Sequence, residues 1–375
     1  MDALSTLSPL LLFAIPAIYQ VLVLLVCVRR LFRHDPPTTD PRPVSILKPV
    51  CGADPGFYAA IASHATQDYP EFEILLAVGS LDDPAVPHIR KLQREFPERA
   101  IRLIVRGTQC PNLKVGSLID LERQARFELI VVNDGDIAVP PDYLKTILGP
   151  LASPAIGLVT CLFRTRAESL PAKFEALSVI TDFAPSALVA PLTGITEFGL
   201  GSTLALRRSD LRRIGGFESL ASYLADDYQL GKRIHGLGLK IHLSTAIVES
   251  HIPAESWGEA WTHQVRWART IRISRGGLIG YAGLPATYAT LWALAALAGG
   301  HWKIALALLV LRFAAAVAAS AGVLHDKSIW PLLPLLPLRD LWAAGIWVFG
   351  MAGDSVDWGG RILKLSPDGR ITEIK

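Results

Sequence analysis

The run from Ser8 to Val28 sets the first limit on what this chain can fold into. Its 21 residues include no charged side chain. Wound as an α-helix it spans about 31 Å, the thickness of a bilayer's hydrocarbon core. Arg29, Arg30 and Arg33 follow at once, then His34 and Asp35-Pro36-Pro37. In a cleaved signal peptide the basic residues precede a shorter apolar core. Here they follow it. That order predicts an uncleaved anchor with the next domain on the cytoplasmic side of the membrane. The other reading, a buried core helix, is disfavoured by the length of the run and by its flanking charge.

The last third of the chain is apolar again. Segments 284–299, 304–324 and 329–351 are candidate spans. The second carries Arg312 and the third Arg339-Asp340. Charges at such depth must pair, face a bundle interior or sit near an interface. Pro331, Pro334 and Pro337 argue against one regular helix, because each removes a backbone donor. The third segment is therefore either a crossing or an interfacial stretch. A hydrophobic content of 51% agrees with a membrane protein, and a net charge of +3 is too small to imply a nucleic-acid partner. Cys27, Cys51, Cys110 and Cys161 are scattered without zinc-site spacing, which fits reduced thiols.

Residues 40–275 read differently. Short apolar runs, 44–47, 72–78, 101–105 and 129–132, alternate with helical patterns near 57–66, 84–96 and 114–125. Pro84 suits a first helical turn, with Asp82 or Asp83 as its cap. Alternating strands and helices predict an α/β fold with a mostly parallel sheet, and ligands bind such sheets beyond the carboxyl ends of the strands.

The fourth predicted strand runs into Asn133-Asp134-Gly135-Asp136. Two hard carboxylates at a strand end suit Mg²⁺ or Mn²⁺, which can bridge them to a diphosphate. A solvated turn is the plainer reading of the bare tripeptide, since turns are rich in Asp and Gly. Its place after a strand favours the metal. Ala225-Asp226-Asp227-Tyr228 opens a helical pattern, and one acidic residue there serves as a cap. Asp226 is assigned that role, leaving Asp227 as a general base. His263-Gln264-Val265-Arg266-Trp267 lies in a basic helical stretch continuing through Arg272 and Arg275. Arg272 and Arg275 fit a helix resting on an anionic leaflet. Arg266 fits bidentate contact with a diphosphate, and Trp267 the wall of an acceptor pocket.

Taken in order, Leu47-Lys48-Pro49, Gln67-Asp68-Tyr69-Pro70, Asp82-Asp83-Pro84-Ala85, Asp134-x-Asp136, Ala225-Asp226-Asp227-Tyr228 and Arg266-Trp267 resemble family 2-like glycosyltransferases. They are most similar to the ceramide glucosyltransferase family, family 21. The resemblance covers roughly 43–275 and the membrane layout. It implies a GT-A fold, a UDP-sugar donor, a divalent metal and inverting transfer to a membrane lipid hydroxyl. It implies nucleotide-sugar contacts for Asp83, Lys114 and Asp134, and a metal-shell role for His251. His263 departs from the usual Gln or Arg at its position. The His-x-x-Arg-Trp-Ala-Arg-Thr form is similar to the bacterial hopanoid-biosynthesis branch, which uses N-acetylglucosamine and bacteriohopanetetrol. Ser117 replaces an Asn common in relatives, so a nucleotide contact is expected of Lys114 and not of Ser117.

The expected organisation is an anchor over 1–34, a cytosolic domain over 40–275, a membrane region over 276–352 and a polar tail over 353–375. The expected setting is a bacterial inner membrane. The expected acceptor is a hopanoid such as bacteriohopanetetrol, with ceramide as the alternative, and the competing class is a non-catalytic scaffold that only binds nucleotide sugars.

Overall fold

The computed structural model describes residues 2–39, 41–253, 256–328 and 330–374, with side chains from Leu11 onward. The chain forms two compact units that are discontinuous in sequence. One comprises 34–165, 195–253 and 363–375, the other 1–33, 166–194 and 254–362. Segment 166–194 thus belongs with the helices, and the last residues belong with the sheet.

The main sheet of the sheet unit has seven strands among the described residues: β1 (Val44–Pro49), β2 (Phe72–Val78), β3 (Ala100–Val105), β4 (Leu129–Val132), β5 (Ile156–Arg166), β6 (Leu204–Arg207) and β7 (Lys240–His251). Their order is β3-β2-β1-β4-β6-β5-β7. β1 lies parallel to β2 and β4, and β2 to β3, whereas β6 runs antiparallel to both β4 and β5. Helices Phe57–Ala65, Ala85–Glu95 and Leu113–Gln124 make the crossovers between the parallel strands. Ile74 and Leu76 enter one hydrophobic cluster and Leu75 and Ala77 the other. Both sheet faces are therefore covered, which is why β2 reads as a continuous apolar run and not as an alternation. Segment 35–43, which reads as a linker, is pinned at its start. Asp35 accepts hydrogen bonds from Ser244 Oγ and Thr245 N, both at 2.6 Å, and pairs with His242 at 2.8 Å.

In the helical unit, among the described residues, four helices are long and apolar enough to cross a membrane: Leu11–Leu31, Leu170–Thr193, Trp302–Val323 and Trp330–Met351. Three correspond to predicted spans, although Ile329, the first residue of the last one, lies outside the described residues. Segment 284–299 does not form a span. It is a short turn followed by the ten-residue helix Ala289–Ala298, which rises about 15 Å, half of a bilayer core. The fourth long helix, Leu170–Thr193, was concealed by Lys173, Glu175 and Asp182, which interrupt its apolar run. It also contains a π-helical turn at Val179–Phe183. Outward-facing Leu11, Ile18, Leu25, Leu306, Val310 and Val348 leave a broadly apolar surface.

The buried charges of this unit find one another. Arg312, 1% exposed, pairs with Asp340 at 2.6 Å and Asp182 at 2.7 Å, and donates to Thr181 O at 2.7 Å. Arg339 reaches Asp182 at 3.3 Å, and Asp340 also accepts from Thr290 N. Three stretches of chain are thus tied by one ionic cluster. Arg272 corrects the expectation of a membrane-facing cation. Its guanidinium donates to Met351 O and Gly353 O, while Arg269 donates to Ala352 O and Ser355 O. The two arginines satisfy the carbonyls that end helix Leu336–Met351. Arg275 is exposed.

Replacing Arg312 by Met should strand Asp340 inside the bundle and destabilise the detergent-solubilised protein by about 3–5 kcal/mol. Adding Asp340→Leu should recover part of that loss in the same denaturant-unfolding measurement, because it leaves Asp182 with Arg339 and no unpaired buried carboxylate. No recovery would show that the cluster does not act as a unit.

Candidate active site

The site grows out of the carboxyl end of β4, where the chain turns through Asn133–Asp136. The turn is supported from beneath by Lys48 of β1, whose side chain is fully buried. Its Nζ donates to Asp134 O at 2.9 Å and Ile137 O at 3.2 Å. Burial pulls the Lys48 pKa down to about 7, against the opposing pull of Asp136 and Asp134. Asn133 anchors the turn from behind by donating to Ser202 O at 2.7 Å and Tyr143 Oη at 2.8 Å. His64, which reads as structural, joins this network through Asn133 Oδ1 at 3.2 Å.

Lys114 gathers the acidic residues. Its Nζ lies 2.7 Å from Asp134 and 3.1 Å from Asp226. Burial alone lowers an ammonium pKa, yet the charges of Asp134, Asp226 and Asp227 outweigh it and hold Lys114 protonated. The cap role expected of Asp226 is not what it performs. The helix Asp226–Gly236 has Ala225 at its cap position, and Asp226 is turned to Lys114. Asp227 instead accepts from Tyr228 N at 2.7 Å and from Gly201 N at 2.9 Å. Burial, followed by the charge of Asp226, pushes Asp227 up to about 6. Burial also raises the pKa of Asp226, with Lys114 opposing it.

Gly201 is the residue that sequence reasoning passed over. A Cβ there would stand 2.8 Å from Asp134 Oδ2, 3.4 Å from Asp227 Oδ2 and 3.5 Å from Lys114 Nζ. A side chain there would push Asp134 from its place, and the bare backbone brings its N–H onto Asp227. Gly135, between the two carboxylates of the turn, makes no such demand: a Cβ there would approach nothing closer than 3.4 Å.

The far side of the turn meets the end of β7. Ala138 and Glu249 exchange backbone hydrogen bonds at 2.8 and 2.9 Å, which sets Ser250 beside Asp136. Ser250 Oγ donates to Asp136 at 2.5 Å. Burial, and next the charge of Asp134, raise the Asp136 pKa. His251 Nδ1 is buried with no hydrogen-bond partner among the described residues. Also among the described residues, no three His, Cys, Asp or Glu side chains gather into a ready metal cage. The expected set of Asp134, Asp136 and His251 is thus not assembled by the protein alone. Two hard carboxylates on one turn still suit a hard divalent cation that takes its other ligands from a diphosphate and water.

Pro84 holds the cap position of helix Ala85–Glu95, and Asp83, expected as the cap, stands one residue ahead of it. Asp83 accepts from Ala85 N at 2.9 Å and Gly52 N at 3.1 Å, tying the loop after β1 to the start of helix Ala85–Glu95. Arg266, Trp267 and His263 belong to the helical unit, on helix Trp257–Ser274, whose start carries a full capping box of Ser256 and Glu259. His263 Nδ1 lies 2.5 Å from Glu175, a buried carboxylate with no signal in the sequence. The His263 ring packs against Trp267 at 4.8 Å.

The model of glycosyl transferase family 21 matches residues 9–371. Ceramide glucosyltransferase 1 of Caenorhabditis elegans is 28% identical over 205 residues, 54% of this chain and 44% of that protein. Ceramide glucosyltransferase 3 of the same organism is 29% identical over 209 residues, with the same coverage of 54% and 44%. The alignments thus span less than half the length of these curated relatives. Among solved structures, the mannosyltransferase PcManGT from Pyrobaculum calidifontis, in complex with GDP-Man and Mn²⁺, superposes with a TM-score of 0.53 at 19% identity, covering 91% of this chain and 97% of that one. That likeness is one of fold, and it identifies the sheet unit as GT-A-like. With a family match running through nearly its whole length, the chain belongs to glycosyl transferase family 21.

Proposed function

We propose that this protein is an inverting glycosyltransferase that moves a hexose, glucose or N-acetylglucosamine, from a UDP-sugar to the hydroxyl of a membrane lipid. The observation that carries this reading is the convergence of Asp134 and Asp226 on Lys114, with Asp227 held beside them by the backbone N–H of Gly201. A scaffold that only binds nucleotide sugar needs no second acidic pair beside the first. The apolar helices and the family's ceramide-modifying relatives support a lipid acceptor in the membrane.

In this mechanism Asp227 takes the proton of the acceptor hydroxyl. The acceptor oxygen bonds to the anomeric carbon, the bond from that carbon to the UDP oxygen breaks, and configuration inverts. The amides of Gly201 and Tyr228 fix the Asp227 carboxylate in one orientation. A divalent cation, Mg²⁺ or Mn²⁺, held by Asp134 and Asp136 supplies charge neutralisation for the departing diphosphate. His251, with its orphaned ring nitrogen, is its candidate third protein ligand. Lys114 keeps the acidic cluster from repelling itself and faces the nucleotide, as does Asp83. The sequence motif is what supports Arg266 as the residue for the diphosphate and Trp267 and His263 as residues for the acceptor. Arg29, Arg30 and Arg33 after the first span set the sheet unit in the cytoplasm by the positive-inside rule.

The acceptor has two candidates. His263 at the head of its motif favours a hopanoid such as bacteriohopanetetrol, and the relatives favour ceramide. Membranes containing the protein, given labelled UDP-glucose or UDP-N-acetylglucosamine and each lipid in turn, should yield one labelled glycolipid whose mass names both donor and acceptor. No labelled lipid from any combination, with or without Mn²⁺, would return the scaffold reading.

Asp227→Asn should lower kcat by about 10²–10⁴-fold while UDP binding is kept, since only proton transfer is lost. Full activity in that variant would remove Asp227 from the role of base. The pH profile of kcat/KM should show an acidic limb near 6, with turnover lost below it as Asp227 becomes protonated and rising above it. A profile flat from about pH 5 to 8 would contradict an ionised carboxylate base.

A further inference from the structure

The last residues of the chain read as a short polar tail. In the structure they fold into the sheet unit as a hairpin. Ile371, Thr372 and Glu373 pair antiparallel with Leu365, Lys364 and Leu363. Gly369 makes the turn at φ +87°, where a side chain would be strained. Leu363, Leu365 and Ile371 are almost wholly buried, so the hairpin contributes to the core and is not a loose end.

Its turn docks on one segment, residues 222–224, immediately before Ala225-Asp226-Asp227. Ile371 N donates to Ser222 O at 2.7 Å, and Leu224 N donates to Gly369 O at 3.3 Å. Tyr223 and Arg370 sit opposite each other in an antiparallel bridge. The Arg370 guanidinium lies 5.7 Å from the centre of the Tyr223 ring, and its Nε is 3.4 Å from Tyr223 Oη. The opposite side of the same segment is held by Asn112, which donates from N to Ala221 O at 3.0 Å and from Nδ2 to Tyr223 O at 2.7 Å. Asn112 also caps the helix that carries Lys114, by accepting from Val115 N. The segment is thus clamped between the Lys114 helix and the hairpin. The next residues in the chain are the carboxylates that Lys114 and Gly201 must meet at 3.1 and 2.9 Å.

We propose that residues 363–374 are a strap that positions Asp226 and Asp227, with Tyr223 and Arg370 as positioning residues for the transfer reaction. The strap touches no substrate. It acts by fixing the backbone from which helix Asp226–Gly236 starts. Without it Ser222 O and Leu224 N lose their partners, and one wall of the clamp is gone. The consequence falls on kcat, because the alignment of the base is disturbed while the donor contacts of the β4 turn are untouched.

This inference rests on Asp227 being the base, so its test carries an arm that does not depend on turnover. Three full-length variants in membranes, Arg370→Ala, Tyr223→Phe and Ile371→Pro, are compared with a chain ending at Ile362. Amide hydrogen exchange across 222–228 should accelerate in Ile371→Pro and in the shortened chain, and stay unchanged over 129–136. In the same preparations kcat should fall by about tenfold to a hundredfold in the shortened chain and in Ile371→Pro. Arg370→Ala should lose several-fold, with the KM for the sugar nucleotide within about twofold of the parent throughout. Unchanged exchange at 222–228 in Ile371→Pro overturns the strap itself. Accelerated exchange with kcat intact overturns its positioning role. If the shortened chain fails to fold, the point variants decide alone. If the parent transfers no sugar at all, the functional reading fails, and the exchange measurement still decides whether the strap exists.

Discussion

Lys114 Nζ stands 2.7 Å from Asp134 and 3.1 Å from Asp226, and the sheet unit is arranged around those two contacts. Four carboxylates, Asp134, Asp136, Asp226 and Asp227, are crowded beside the end of β4. Like charges at such spacing repel strongly in a partly desolvated site, and each raises the proton affinity of its neighbours. Lys114 from one side and buried Lys48 from beneath balance part of that charge. The remainder appears as the raised pKa values of Asp136, Asp226 and Asp227, each headed by burial. A site with this surplus of negative charge is suited to a cation that arrives with its own anionic ligand, and a carboxylate poised near 6 is suited to taking a proton.

The helical unit meets the same problem with a different answer. Its charges are paired with one another, Arg312 with Asp340 and Asp182, and Arg339 with Asp182. Balanced ions inside a bundle tie its stretches together and fix their register, whereas the unbalanced group in the sheet unit awaits a ligand. The alanines at 293, 296 and 305 complete the picture by letting their helices pack closely against Phe13 and Ala17. Backbone ends follow the same logic, with Arg269 and Arg272 spent on the carbonyls that close helix Leu336–Met351.

Much of the fold was legible because parallel strands buried on both faces are short, apolar and bounded by turn residues. β2 and β4 coincide with their predicted limits, and the crossover helices differ by a residue or so. β5 and β6 were not legible. They pair antiparallel at the far side of β4, and their side chains mix polar and apolar types without a clean period. The helix Leu170–Thr193 was missed for a related reason. A hydropathy reading treats Glu175 and Asp182 as breaks, and only the folded bundle supplies His263 and Arg312 as their partners. Of the site, the acidic pairs and Lys114 could be named from motifs. Gly201 could not, because a glycine's importance there lies in what surrounds it and not in its neighbours along the chain.

By itself the sequence determined the long apolar helix near the start of the chain, the parallel half of the sheet, the position of Asp134-x-Asp136 at a strand end, and the family motifs. Each of these depends on local pattern: an uncharged run long enough for a bilayer, or apolar segments ended by turn formers. Tertiary structure decided which carboxylate faces Lys114 and which accepts the amides of Gly201 and Tyr228. It also decided that Lys48 supports the turn and that the last residues clamp the loop before Asp226. Most of those outcomes depend on atoms brought within 3 Å or so from segments distant along the chain, more than a hundred residues apart for Asn112 and Tyr223. No periodicity along the chain encodes them, because they arise only when burial compels each polar group to find a partner.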